Sequence, residues 1–328
     1  MQWHRRAFLA TAGAVLPLSG RAQAQSSFPE RPVRIVVPFA AGTSSDVQAR
    51  LIAARMGDQL GQTFVVENRA GAGGTLGGEV VAKARPDGYT LLLGSNGPLV
   101  NNPVLQARMP YDAAADFEPV ALLSRSPLTL SVRADSAWHS VADLTAAAKA
   151  QPGAISIGSS GQGSATHFLI EQLMAQAGIR LSHVPYRGSS LSVPDLIAGN
   201  IRLVMAEFST VLPLWQDGRI RILAVSTATR SALAPAVPTL IESGLPHLTG
   251  GSWAALVAPA GTPAPVIGIL ARAAAAVLED PGYRERQAEV GAQLADPAER
   301  SPTGLAAFLA AERQRIRRTA EVAGIRPE

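Results

Sequence analysis

The 328-residue chain contains no cysteine, which excludes disulfides, thiolate metal sites and anchoring through a lipidated N-terminal cysteine. Only 5% of residues are aromatic and only 16% are charged. No basic run carries interleaved aromatics, so there is no electrostatic footprint for nucleic acid or for a membrane surface. Residues 1–24 hold Arg5, Arg6 and Arg21 and no acid. The remainder has 26 basic against 25 acidic residues, which leaves it near neutrality. Catalytic patterns are missing too. Gly158-Ser159-Ser160-Gly161-Gln162 puts Gln where a nucleophile elbow needs its second Gly. No Gly-Lys-Ser/Thr string exists for a phosphate loop. The histidines at 4, 139, 167, 183 and 247 have no ligand spacing and no carboxylate cluster beside them, so neither a metal nor a cofactor is expected.

What is present is a globular composition, 47% hydrophobic, with Gly and Pro dispersed through a length suited to two domains. The N-terminus reads as a targeting segment: Arg5-Arg6, a short apolar stretch over Ala7–Leu18, and Ala22-Gln23-Ala24 as a cleavage site, with the mature chain starting near Gln25. The string RRAFL resembles a twin-arginine signal, although His4 stands where Ser or Thr is usual; an ordinary Sec signal is the other reading. Either one exports the protein.

Strand and helix patterns alternate, which argues for α/β lobes with largely parallel sheets. Val33–Phe39, Phe64–Glu67 and Tyr89–Gly94 read as strands, with a helix over Ser45–Leu60 carrying Ile52, Met56 and Leu60 on one stripe. Leu128–Val132 reads as a strand crossing to a second lobe, followed by strands at Ile155–Gly158, Leu181–Tyr186, Arg202–Ala206 and Ile220–Ser226. Trp253–Ala258 returns to the first lobe. Helix starts are expected at Ser140, Ser164, Thr262-Pro263, Asp280-Pro281 and Ser301-Pro302, and a stop at Gly178. The last helix is expected to end near Gly324. The division expected is an export segment (1–24), a discontinuous first lobe (25–124 plus 250–328) and a second lobe (125–249).

Two loops offer chemistry. Ala40–Asp46 follows the first strand, and Ser159–His167 follows a strand of the other lobe; both put small, hydroxylic residues at a helix N-terminus. Free N–H groups and the positive end of the helix dipole make such a place an anion site. Ligands of open α/β sheets lie beyond the carboxyl ends of strands, where both loops sit. Simple N-capping by Ser45 and Ser164 is the plainer account. Gly71-Ala72-Gly73-Gly74-Thr75-Leu76 nearly mimics a dinucleotide fingerprint, but Leu76 occupies the third Gly position; a tight turn with close backbone packing suits it better.

The strings RIVVPFAAGTSSD, VVENRAGAGG, PDGYTLLLG, MPYD, DFEPV, HVPYRGS, LPLWQDGRIRILAVST and APAGTPAPV run in order through the mature chain. Together they resemble the substrate-binding proteins of the tripartite tricarboxylate transporter, the Bug family. The resemblance implies a two-lobed, periplasmic-binding-protein-like type II α/β fold with a ligand cleft between the lobes. It implies a periplasmic monomer, not an enzyme, that closes over a small carboxylate and delivers it to a membrane permease; a sensor docking on a signalling receptor has the same signature. Carried over, the ligand residues are Phe39, Ala41, Gly42, Thr43, Ser44, Ser45 and Asp46 from the first loop. Ser95 and Asn96 follow the third strand, and Ser159, Ser160, Gly163, Ser164 and His167 come from the other lobe. The usual first loop is PFAPGGGTD. Here Ala41 replaces Pro, and Thr43 and Ser44 replace glycines, which implies a narrower, more hydroxyl-rich pocket. Ala206 takes a position commonly held by Asp. Glu207 then either receives a ligand hydroxyl or ammonium or is a solvated strand end. His167 either touches the ligand or orients its loop, and Asp46 is expected to brace the first helix turn.

Overall fold

A computed structural model describes residues 28–323. The export segment, the mature start near Gln25 and the helix end near Gly324 lie outside the described residues. The chain runs β1 (Val33–Val37), α1 (Ser44–Leu60), β2 (Phe64–Asn68), α2 (Thr75–Ala82), β3 (Thr90–Gly94), α3 (Asn102–Leu105) and β4 (Phe117–Arg133). It continues through α4 (Val141–Ala150), β5 (Ser156–Ser159), α5 (Ala165–Ala177), β6 (Ser182–Pro185), α6 (Ser189–Ala198), β7 (Leu203–Glu207), α7 (Phe208–Gln216) and β8 (Ile220–Val225). It closes with β9 (Gly251–Pro259), α8 (Ala264–Glu279), α9 (Pro281–Glu289), β10 (Gln293–Leu294) and α10 (Pro302–Ala323).

The strands follow the order β2-β1-β3-β9-β4-β7-β5-β6, with β8 and β10 also on β4. β1 pairs in parallel with β2 and β3, and β5 in parallel with β6 and β7. β4 joins the two groups. Phe117–Pro127 pairs with β9, whereas Leu128–Ser131 pairs with β7 and Thr129–Arg133 with β8. One strand therefore belongs to two half-sheets, and its partners change between Pro127 and Leu128. The returning chain is fastened at the same level. The Ser226 hydroxyl accepts from the Leu128 amide at 2.9 Å and donates to the Gly250 carbonyl.

Both faces of each half-sheet are buried, which explains the unbroken apolar runs of the parallel strands. Alternation sorts the side chains: Val33, Ile35 and Val37 pack against α1 and α8, while Val36 faces the side of α2 and α10. In the other half Leu203 and Met205 face one core and Val204 and Ala206 the opposite one. Ser140 caps α4 in a reciprocal capping box with Asp143, Ser164 caps α5, Gly178 ends α5 in the left-handed conformation, and Asp280 caps α9. All four were expected.

Three expectations need correcting. The crossing strand begins at Phe117, not Leu128, and spans 17 residues. Pro119 and Pro127 hid its first part, and register shifts at Pro119/Ala121 and Leu122/Ser124 break the alternation that marks a strand. α1 is capped by Thr43 and begins at Ser44, so Ser45 is not the cap. Thr262 does not cap α8 either; its hydroxyl donates to the Pro259 carbonyl at 2.7 Å.

Candidate functional site

The first loop leaves β1 and turns at Gly42, whose φ of 77° is left-handed. The turn is held by Asp46, only 3% exposed. Its carboxylate accepts from the Gly42 amide at 2.9 Å, from Arg50 at 2.9 and 3.1 Å, and from the Asn68 amide at 3.0 Å. Burial pulls its pKa up, but Arg50, Gly42 and Asn68 together outweigh that and hold it below the usual carboxylate value. Asp46 is thus a brace. Phe39 is buried, with its carbonyl accepting from Asn68, and Ala41 stays at the surface. Thr43 donates to the Ala40 carbonyl at 2.8 Å. The first-turn amides of Ser44 and Ser45 have no acceptor within α1.

The second loop satisfies most of its own donors, contrary to the expectation of free amides. The Ser160 amide goes to Thr166 Oγ1 (2.8 Å), Gly161 to Ser159 Oγ (3.1 Å), Gly163 to His167 Nδ1 (3.0 Å) and Ser164 to the Gly161 carbonyl (3.1 Å). His167 therefore orients its loop. It stacks on His183 at 4.2 Å, and His183 Nε2 lies 2.7 Å from Ser159 Oγ. Burial, with the neighbouring His167, lowers the His183 pKa to about 4, so its ring is neutral at ordinary pH. Beyond that network, α5 still presents the first-turn amides of Ala165 and Thr166.

The two halves meet along a closed seam. The Ala40 amide donates to the Arg187 carbonyl at 3.0 Å, and Ser190 Oγ to the Ala41 carbonyl at 3.4 Å. Gly188 passes so close that a Cβ there would lie 2.6 Å from Thr43 Cγ2. At a second place the Gly71–Gly74 turn, with Ala72 at φ 47°, presses its backbone on Gln162 and Gly163. A Cβ on Gly73 would overlap the Gln162 carbonyl, and one on Gly163 would overlap Asn102 Oδ1. The glycine-rich segment is thus a close-packed turn at the seam. The 186–190 loop was missed as a site element; HVPYRGS was its only signal.

Asn96 does not have the free side chain expected of a ligand residue. Its amide donates to the Gly251 carbonyl (3.2 Å) and accepts from the Trp253 amide (3.1 Å), tying the end of β3 to β9. Ser95 is different: its hydroxyl is buried with no protein partner. Glu207 is no solvated strand end. It is half-buried and accepts from Ser189 Oγ, and burial raises its pKa. Because the folded pKa is raised, stability from this group is full below the unfolded value near 4.3 and declines as pH rises through the folded one. Glu207→Gln keeps an acceptor for Ser189 and removes the buried charge. It is expected to stabilise the protein at pH 7 and to lose that advantage as the pH falls towards 4. Thermal melts from pH 4 to pH 8 check this: a variant no more stable than wild type at pH 7 would refute it.

Gly42, Ser44 and Ser45 open on a pocket of about 220 Å³ that Ser126 also lines, next to the point where β4 changes partners. Its other walls come from β4, β9, the start of α7 and the segment from Arg286 to Ala292. None of the other residues expected at the site lines it.

Two α/β halves joined by crossing strands, with loops at the strand ends facing each other across a seam, make a periplasmic-binding-protein fold of the solute-binding class. The pattern defining the tripartite tricarboxylate transporter family receptor matches residues 48–324, and the chain belongs to that family. BugT of Bordetella pertussis is 37% identical over 309 residues, covering 94% of this chain and 92% of BugT. The structure of the periplasmic binding protein BugD superposes with a TM-score of 0.88 at 34% identity, over 92% of this chain and all of that one. The R. palustris protein Rpa4515, solved with adipate, gives 0.87 at 36% identity, again over 92% of this chain and 100% of its own. Among the described residues no helix is long and apolar enough to cross a membrane.

Proposed function

We propose that this protein captures a small carboxylate between its two halves, without transforming it, and delivers it to a membrane permease. It acts as an exported periplasmic monomer, with residues 25–124 plus 250–328 as one lobe and 125–249 as the other. The change of β4 partners at Pro127/Leu128 supports that division. The observation that carries the reading is the seam, where the α1 turn meets the 187–190 loop of the other half and the Gly71–Gly74 turn meets the loop before α5, while Ser95, just after β3, keeps a buried, partnerless hydroxyl. A guest carboxylate there draws charge-assisted hydrogen bonds from first-turn amides of both helices. Micromolar affinity needs only about 8 kcal/mol in total, which several such bonds supply without a dedicated arginine. The adipate held by Rpa4515 supports the ligand class. Hydroxyl side chains at Thr43 and Ser44 narrow the site and favour slim aliphatic acids over aromatic ones.

Native mass spectrometry of protein purified without denaturation should find a small acid bound one to one. Titration calorimetry with aliphatic mono- and dicarboxylates should then give saturable binding and return each acid unchanged. Failure of every such acid to bind, preference for bulky aromatic acids, or turnover of the bound one would each refute the reading.

A further inference from the structure

We infer that His183, on β6, is a positioning residue for capture: it holds the loop before α5 in the shape that meets the first half. The inference rests on the capture reading above. The place of His183 follows from strand register. β5 and β6 run in parallel with Ile157 beside His183, and paired residues share a sheet face. Ser159, two residues after Ile157, points to that face too, so the His183 ring reaches it one step further along β5. α5 covers the face and lays His167 on the ring, 4.2 Å away and 13° from parallel.

Hydrogen positions follow from the partners. The Ser159 hydroxyl is fully buried and accepts from the Gly161 amide at 3.1 Å. Its own proton needs an acceptor, and His183 Nε2 stands at 2.7 Å. The His183 ring is neutral, since burial and His167 outweigh the pull of Glu171, so it carries its hydrogen on Nδ1. His167 is the opposite tautomer. Its Nδ1 accepts from the Gly163 amide at 3.0 Å, which leaves the hydrogen on Nε2, facing Glu171 at 3.4 Å. The two stacked rings thus hold one glycine each, His167 directly and His183 through Ser159.

Those two glycines flank Gln162 where the loop meets the other half. A Cβ on Gly161 would lie 3.6 Å from the Gly73 backbone, with the Tyr186 carbonyl 2.7 Å away on its own side, and one on Gly163 would overlap Asn102 Oδ1. With so little clearance, a small shift of either glycine keeps the halves from closing. Without Nε2 the Ser159 hydroxyl holds a buried proton that has no acceptor, which costs its desolvation. Water supplies the acceptor once the halves part and uncover the loop. Loss of Nε2 therefore favours the open form, and the captured acid must restore closure from its own binding energy.

The test uses the full mature chain with adipate and succinate as probes. His183→Phe keeps a stacked ring and removes Nε2, whereas His183→Gln gives up the ring and keeps an acceptor near that atom. Calorimetry should find binding weakened about tenfold or more in His183→Phe and restored to within about threefold of wild type in His183→Gln. A residue that only propped up the fold would give the reverse, because phenylalanine keeps more of the packing. Equal affinity in His183→Phe and wild type, or equal loss in both variants, overturns the inference. Melting curves identify a variant that fails to fold, in which case nitrogen NMR of the wild-type imidazoles decides: a His183 hydrogen on Nδ1 supports the inference and one on Nε2 overturns it. If no aliphatic acid binds wild type, the capture reading has failed by itself. Hydrogen exchange of the Gly161 amide then tests the hold on the loop: it should be faster in His183→Phe alone, and equal exchange in all three proteins overturns the inference.

Discussion

Gly73→Ala should cost the protein about 2–4 kcal/mol of closure and weaken its ligand by a factor of roughly 30 to 1,000, with each half still folded. The methyl group would overlap the Gln162 carbonyl, a backbone atom that no rotamer change can withdraw. The φ of Gly73 is 59°, so alanine also meets the left-handed penalty. The strain concentrates on the contact between halves, because Gln162 belongs to the loop before α5 and Gly73 to the turn before α2. The cheapest relief is separation of the halves about the crossing strands, an equilibrium the ligand must then reverse from its own binding energy. Scattering in solution should report a larger radius for the variant with ligand than for wild type with ligand, and calorimetry the lost affinity. An affinity within about twofold of wild type would show that the seam is not closed when ligand is held.

Much of the architecture was legible because local signals and tertiary packing agree. The run VRIVV fits a strand buried on both faces, and α1, α4, α5 and α9 carry their own stop or start residues. β4 was half hidden, since its prolines and register shifts are tolerated only because β9 supplies a partner from more than a hundred residues downstream. The site was legible as two loops but not in its wiring. Ser45 reads as the cap in sequence, but the cap is Thr43, which also reaches the Ala40 carbonyl. Asn96 looked like a ligand residue until β9 took both ends of its amide. His167 was left between two roles by its position, and the Gly163 amide decides for loop orientation.

The brace at Asp46 carries the second large effect. Asp46→Ala would leave the Gly42 amide without its acceptor and Asn68 with only the Phe39 carbonyl, while Arg50, half exposed, can turn to water. Hydrogen bonds to a buried charge are worth about 1.5–3 kcal/mol each before relaxation, and discounting the Arg50 contact for solvent leaves about 2–3 kcal/mol. For a chain of this size that lowers the melting temperature by roughly 3–5 °C. The pH dependence separates this brace from a packing defect. The folded pKa of Asp46 is depressed, so its contribution is present above the unfolded value near 3.9 and is lost as pH falls through the lower folded value. The gap between wild type and Asp46→Ala should therefore be wide at pH 7, begin to narrow below about pH 4 and shrink further with acid. Asp46→Asn keeps the shape but sets an NH₂ against donors that need an oxygen, so it should lose most of the same stability and share the same pH profile. A gap that stays constant through acid would mean that the methylene packing of Asp46, and not its charge, holds the turn from which the α1 amides are presented.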